Sequence, residues 1–509
     1  MRERLSPDFI PSQFVINDLP PELLAEVFYS YILLVVHRKP SSTSPAPYSW
    51  IVIRHVCRAW RAVALAHPKL SSHIHLLRPE CVQHMLRTSG AAPLHVYEQY
   101  RSVSPSGIVT RVAMQRDVFG HLERIVSARA DLRTTAVLDL GPPGQVKSSA
   151  LRSLVLEIPH QDADRAELVP PLWPGFTFPR LDEFHGRAMD IYLFSPIIPT
   201  TLRVLTIDYC FPKDTLTELV AMLGTLSRLE ELTASNLTYW PEQLLPEVRR
   251  LHPCGTTATL QRLTRISISG DTYEVGRNLL QRLILPTTAQ VHQIYDMNMR
   301  DPPFLPPSPF LATLGGANSP APQSLLVRTD GFETLTLHLW DTPLPLHELR
   351  ARAKSPNDRS ARFAFTKCSA SVAFVEELLQ RVPLGAVRVA HLEEGRWQLV
   401  PFPWHAVLAQ FVALEELSVE CEVPRQVDEA YIESGEASNL ADAARMFPAL
   451  ESVLLCHSTR RAGAGHGSRN FVSLLRVMAD RLRTRTDEFR GGLSVSVQAV
   501  AVLEDDESD

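Results

Sequence analysis

The stretch LEELTAS, Leu229–Ser235, reads apolar, polar, polar, apolar, polar, apolar. A polar pair followed by alternation suits a chain that turns and then enters a strand with one buried face. The same cadence occurs at LRSLVLEI (Leu151–Ile158), LRVLTID (Leu202–Asp208), LTRISIS (Leu263–Ser269), FETLTLHL (Phe332–Leu339), LEELSVE (Leu414–Glu420) and LESVLLC (Leu450–Cys456). Helix-like stretches separate several of these, among them Asp214–Arg228 and Val372–Val382. The anchors Leu181, Leu202, Leu229 and Leu263 follow one another at 21, 27 and 34 residues, and Leu414 precedes Leu450 by 36.

This pattern resembles degenerate leucine-rich repeats, although the repeat's asparagine is mostly missing and Asn236 is its best candidate. The resemblance implies an irregular α/β solenoid. One strand–helix unit cannot bury its own apolar face, so stacked neighbours bury it for one another and leave a long concave surface for a protein target. A general α/β domain with parallel strands and outer helices gives the same local pattern and stays open as an alternative. The segment Arg300–Ser324 is rich in Pro, Gly and Ser and reads as a loop between two halves of the array; its Pro303/Pro306 spacing reads as incidental. Arg460–Asn470 reads as a flexible loop. It precedes a helix, Phe471–Arg485, and a final strand, Leu493–Val502, which together form a C-terminal cap. The acidic tail is Glu504–Asp509.

Upstream the chain changes character. After a tail of residues 1–15, Asn17 and Asp18 suit a helix cap, and Pro20, Pro21 and Glu22 suit a first turn. Leu23, Leu24, Val27, Phe28, Tyr31, Ile32 and Val35 then recur at helical spacing. Arg38–Ser49 reads as a loop. A second helical pattern resumes at Trp50, places Ile53, Val56, Cys57 and Trp60 on one face, and runs through Leu65 to Pro68. So short a helical unit has little interior and asks for a partner.

LPPELLAEVF, VCRAWR and the closing HPKL resemble an F-box of the form common in fungal families, covering residues 16–76. The family usually closes P-x-L-W, whereas here Ser71 follows Leu70 and one aromatic is lost. The resemblance implies docking to a Skp-family adaptor and through it to a cullin scaffold. The docking residues it implies are Leu19, Pro20, Leu23, Leu24, Val27, Val56, Cys57 and Trp60. Leu24, Val27 and Trp60 suit either docking or the module's own core. Arg54, Arg58 and Arg61 read as a solvated face, with steering of an acidic adaptor as the alternative. Residues 77–503 would form the repeat-like domain.

Composition fits this division. The 509 residues carry a formal net charge of −5, which gives no electrostatic case for nucleic acid or an anionic membrane. Forty prolines demand many loops. Seven dispersed cysteines without a CxxC pair point to reduced thiols, and the N-terminal stretch lacks a leader's apolar core; both lead to the expectation of a cytoplasmic or nuclear protein. No phosphate loop, nucleophile elbow or metal-ligand spacing is legible, so no catalytic, metal or cofactor residue is assigned. Cys81 and His84 share a helical turn and read as incidental. The expected function is that of a non-enzymatic substrate receptor of an SCF-type ubiquitin ligase, with an interaction scaffold as the alternative.

Overall fold

A computed structural model describes residues 16, 19–36, 48–98, 105–131, 150–158, 178–189, 191–209, 216–236, 257–270, 276, 279–286, 289–296, 321–330, 334–345, 348–349, 351–352, 361–366, 384–394, 411–422, 451–459 and 494–501. The expected Asn17–Asp18 cap, the helices Val372–Val382 and Phe471–Arg485, the loop Arg460–Asn470 and the acidic tail lie outside these residues. The architecture is mixed α/β with a predominantly parallel sheet. The chain divides into two compact units, Met1–Thr206 and Ile207–Asp509.

The first unit begins with helices: α1 Pro21–Val36, a 3-10 turn Ser49–Val52, α2 Ile53–Val56, α3 Arg58–Ala66 and a second 3-10 turn Pro68–Ser71. Strand β1 His73–His75 follows, then α4 Pro79–Thr88, β2 Leu94–Tyr97, α5 Pro105–Phe119, β3 Ile125–Asp131, β4 Ser153–Glu157, β5 Glu183–Arg187 and α6 Ile191–Phe194. Helix α4 starts on Pro79 with Glu80 in its first turn and ends before Gly90, which takes its left-handed φ of 53° without the steric cost a Cβ brings. Strands β1 to β5 are neighbours in chain order, and every pairing is parallel. Strand β1, which lies within the segment read as an F-box, pairs with β2 in the sheet.

Strand β6 Val204–Asp208 spans the boundary between the units. The second unit contains α7 Leu216–Thr225, β7 Glu231–Ser235, β8 Ala258–Thr259, β9 Arg265–Gly270, β10 Leu283–Ile284 and β11 Gln290–Asp296. It continues with β12 Ser324–Asp330, β13 Thr334–Trp340, β14 Ala361–Thr366, β15 Val389–Glu394, β16 Glu416–Glu422, β17 Ser452–Thr459 and β18 Ser494–Ala501. β7, β9 and β11 pair in parallel, as do β15 to β18, and the short β8 and β10 pair with each other.

A repeated backbone device explains the sequence cadence. The N–H of each anchor bonds the carbonyl three residues earlier: Leu181 to Phe178 at 2.9 Å, Leu202 to Pro199 at 3.1 Å, Leu229 to Leu226 at 3.1 Å and Leu263 to Leu260 at 3.2 Å. The next two N–H groups then share one carbonyl of the preceding strand's turn. Arg152 O accepts from Asp182 and Glu183, Asp182 O from Arg203 and Val204, Glu230 O from Thr264 and Arg265, and Arg388 O from Glu415 and Glu416. The anchor side chain is sealed while the two residues after it, polar except for Val204, stay exposed or half-buried. Leu151, Leu181, Leu202, Leu229, Leu263 and Leu414 are all buried. Ala188, Tyr209 and Asn236, the residues directly after β5, β6 and β7, share a left-handed backbone with φ between 50° and 54°. The Asn236 amide donates to Asp208 at 2.9 Å, so this asparagine ties one strand end to the next.

FETLTLHL departs from the repeat. It forms β13, which pairs antiparallel with both β12 and β14. Asp330 pairs with Thr334, and so short a connection returns the chain only antiparallel. Alternation encodes which face is buried and carries no direction, so the cadence alone cannot separate this strand from its parallel counterparts.

Candidate protein-docking surface

The apolar band on α1 is wider than one interior can take. Leu24, Ala25, Phe28 and Ile32 face inward and are buried. Leu23, Val27 and Leu34 stand 54%, 45% and 73% exposed, and Tyr31 is exposed beside them. At about 100° per residue the exposed four fall in one arc and the buried four in the next. The sequence shows the surplus as two adjacent apolar positions per turn; it does not say which column turns outward. Leu24, a docking candidate by resemblance, belongs to the interior. Leu23, Pro20 and Val56 are exposed, and Leu19, Cys57 and Trp60 are half-buried. Val52 and Leu65 are also exposed, and neither belongs to the docking set that the resemblance implies. Among the described residues twelve large hydrophobic side chains are exposed, and eight lie between Ile16 and Leu65, which concentrates unsatisfied apolar surface in the helical module.

The helix expected to run on from Trp50 is broken at Cys57. That residue is extended (φ −155°, ψ 172°) and caps α3, its Sγ accepting the Trp60 N–H at 3.4 Å. Arg61 stitches the break by donating its Nε–H to Arg54 O at 2.8 Å. The kink leaves Val56 outside and turns the Trp60 ring onto Phe28, with ring centres 4.8 Å apart.

Arg54 overturns the solvated-face reading. It is buried, its guanidinium lies 5.4 Å from the centre of the Trp50 ring, and it donates to Ser71 Oγ at 3.0 Å and to His84 Nε2 at 3.3 Å. A guanidinium only donates, so His84 accepts and is neutral. Burial, followed by the Arg54 and Arg87 charges, holds His84 below its ordinary pKa. Ser71 supplies the hydroxyl that anchors Arg54. Arg58 and Arg61 are exposed as expected.

The module is tied to the sheet by Tyr48. Its hydroxyl donates to His75 O at 2.7 Å and accepts from His75 N–H at 2.8 Å, covering both backbone groups of an edge-strand residue. The His75 ring stacks on Tyr97 at 5.1 Å and meets Tyr48 edge-on at 5.0 Å. Burial lowers the His75 pKa to about 4 and raises that of Tyr97 to about 12. Further along the sheet, Glu98, buried just after β2, joins α5 to β3. It accepts from Gln115 on α5 at 2.8 Å and from the Asp131 N–H at 2.6 Å, with Arg111 Nε 3.3 Å away. Burial outweighs these donors and raises its pKa.

The His75 shift has a defined sign. Between pH 6.5 and 4 the unfolded imidazole takes a proton that the folded one refuses, so acidification through this window destabilises the fold, by about 3 kcal/mol at its acid end. Glu98, raised in the fold, works in the opposite direction. Urea unfolding at pH 7 and pH 4.5 should show an acid-induced loss that shrinks in His75→Phe; an equal loss in both proteins would exonerate His75.

Among the described residues no group of three or more His, Cys, Asp or Glu side chains is placed to hold a metal, and no helix is long and apolar enough to cross a membrane. No protein-family model matches the chain, and no curated protein matches it.

Proposed function

We propose that the chain is the substrate-receptor subunit of an SCF-type cullin–RING ubiquitin ligase, working in the cytoplasm or nucleus. The helical module is the F-box that docks a Skp-family adaptor, and the strand array is an irregular leucine-rich-repeat-like solenoid that presents a surface to a protein target. The observation that carries this reading is the concentration of exposed apolar side chains on a small module at one end of the chain. A surface of that kind is stable in water chiefly as one half of an interface. Parallel strands following one another in chain order, each entered through the same turn, support the repeat reading. Such a receptor performs no bond chemistry; it raises the effective concentration of its target beside the transfer machinery.

Trp60→Asp places a charge at a half-buried ring beside Phe28 and should remove copurification with the adaptor while the strand array stays folded. Retained capture would count against the docking surface. A non-catalytic scaffold shares the adaptor contact, but it would neither co-isolate with cullin nor shorten the half-life of a bound target. A pulldown probed for cullin and a chase of the captured protein separate the two.

A further inference from the structure

The chain carries six lysines against 45 arginines. Lysine is among the commonest residues of soluble domains, so this imbalance calls for a cause. Part of it is structural. Arg54, buried, uses its fork on Ser71 and His84, Arg124 reaches Ser89 Oγ and Ala92 O together, and Arg388 grips both oxygens of Glu415 at 2.7 and 2.6 Å. A single ammonium cannot reproduce that geometry. The same account fails for Arg58, Arg78, Arg116, Arg180, Arg228 and Arg262, which are exposed, and for Arg352, whose pairing with Glu348 one turn away a lysine would serve equally. Arginine is retained where only a positive charge is needed.

We infer that the chain is depleted of acceptor amines and is thereby protected from the ligase it serves, an inference that rests on the function proposed above. In ubiquitin transfer a neutral lysine amine attacks the thioester carbonyl that joins ubiquitin to the conjugating enzyme's cysteine. The C–N bond forms, the C–S bond breaks, the cysteine leaves as thiolate, and the amine's surplus proton passes to solvent. A guanidinium stays protonated and has no free lone pair for the attack. A receptor sits in the same high effective concentration of charged enzyme as its target, so each exposed lysine on it competes with the target's own. Replacing lysine by arginine keeps the surface charge and removes the competitor. Of the six lysines only Lys69 is among the described residues; Lys39, Lys147, Lys213, Lys354 and Lys367 lie outside them. Lys69 is paired with Glu26 at 3.8 Å, and Glu26 stands on α1 between Leu23 and Val27. The Lys69 and Glu26 side chains are both exposed, so the Lys69 amine reaches solvent close to the side chains that the adaptor would cover.

The test uses the full chain reconstituted with the Skp-family adaptor, cullin–RING scaffold, conjugating enzyme and ubiquitin. Self-conjugation is followed by gel, and the modified residues are mapped by mass spectrometry. Wild type should be modified weakly. The triple substitution Arg116→Lys, Arg228→Lys and Arg262→Lys, remote in sequence from the helical module, should raise self-conjugation several-fold, with new adducts at those positions. Lys69→Arg should leave assembly intact and change self-conjugation little. Wild type modified as heavily as the triple variant would overturn the inference while leaving the receptor reading standing. Assembly is read in the same samples by copurification, so a chain that captures neither adaptor nor cullin refutes the receptor reading and the inference together, by a different signal.

Discussion

Leu23→Asp combined with Val27→Asp should abolish capture of the Skp-family adaptor and leave the fold intact. Both side chains are about half exposed on the outer arc of α1, so the free protein loses little packing when they change, within about 0.5 kcal/mol for each surface position. In the complex each would be covered. Burying two aliphatic side chains contributes on the order of 4 kcal/mol, and a carboxylate in their place adds a desolvation cost. The dissociation constant should rise on the order of a thousandfold. Titration calorimetry with purified adaptor reads the affinity, and thermal unfolding reads the fold. Leu24→Asp is the control: one position further round the helix, it places a charge in the interior and should unfold the module. If the double variant bound as wild type does, α1 would not be the docking element, and the proposed function would lose the observation that carries it.

Trp50→Ala should be the most damaging single truncation in the helical module. The ring is fully buried, and Arg54 lies over it before reaching Ser71 and His84. Its removal leaves a large cavity, costing about 4 kcal/mol, and withdraws the face on which a buried cation rests. Trp60→Ala, at a half-buried ring packed on Phe28, should cost far less stability and more binding. Guanidinium unfolding of the two variants gives the ranking; equal midpoints would mean that the buried and the half-buried indole carry the same load.

That contrast locates what the sequence could and could not disclose. Strand positions were legible because the anchor turn recurs and an alternating strand has a period of two: Leu202, Leu229, Leu263 and Leu414 mark buried turns as expected. Strand direction was not legible, hence the antiparallel β13. Strand β12, SLLVRTD, escaped notice because Leu325, Leu326 and Val327 are all buried, and a strand covered on both faces does not alternate. In the helical module spacing gave the helices but not the break at Cys57. Periodicity assigned Arg54 to the surface; Trp50 lies one turn before it, but its burial also depends on Ser71 and His84, which helical spacing does not relate to it. The outward column of α1 was legible as a surplus of apolar residues, and its identity depended on what the opposite column met.

The Tyr48 contact has a practical consequence. A row of parallel strands ends in an unpaired margin of N–H and C=O groups able to accept a further strand from another molecule, the first step of open-ended fibre growth. One phenol occupies both backbone groups of His75 at that margin. Fragments trimmed from the amino end past this tyrosine should therefore polymerise at concentrations where the intact protein stays dispersed, and the helical module would act as a terminator of strand addition as well as a hook.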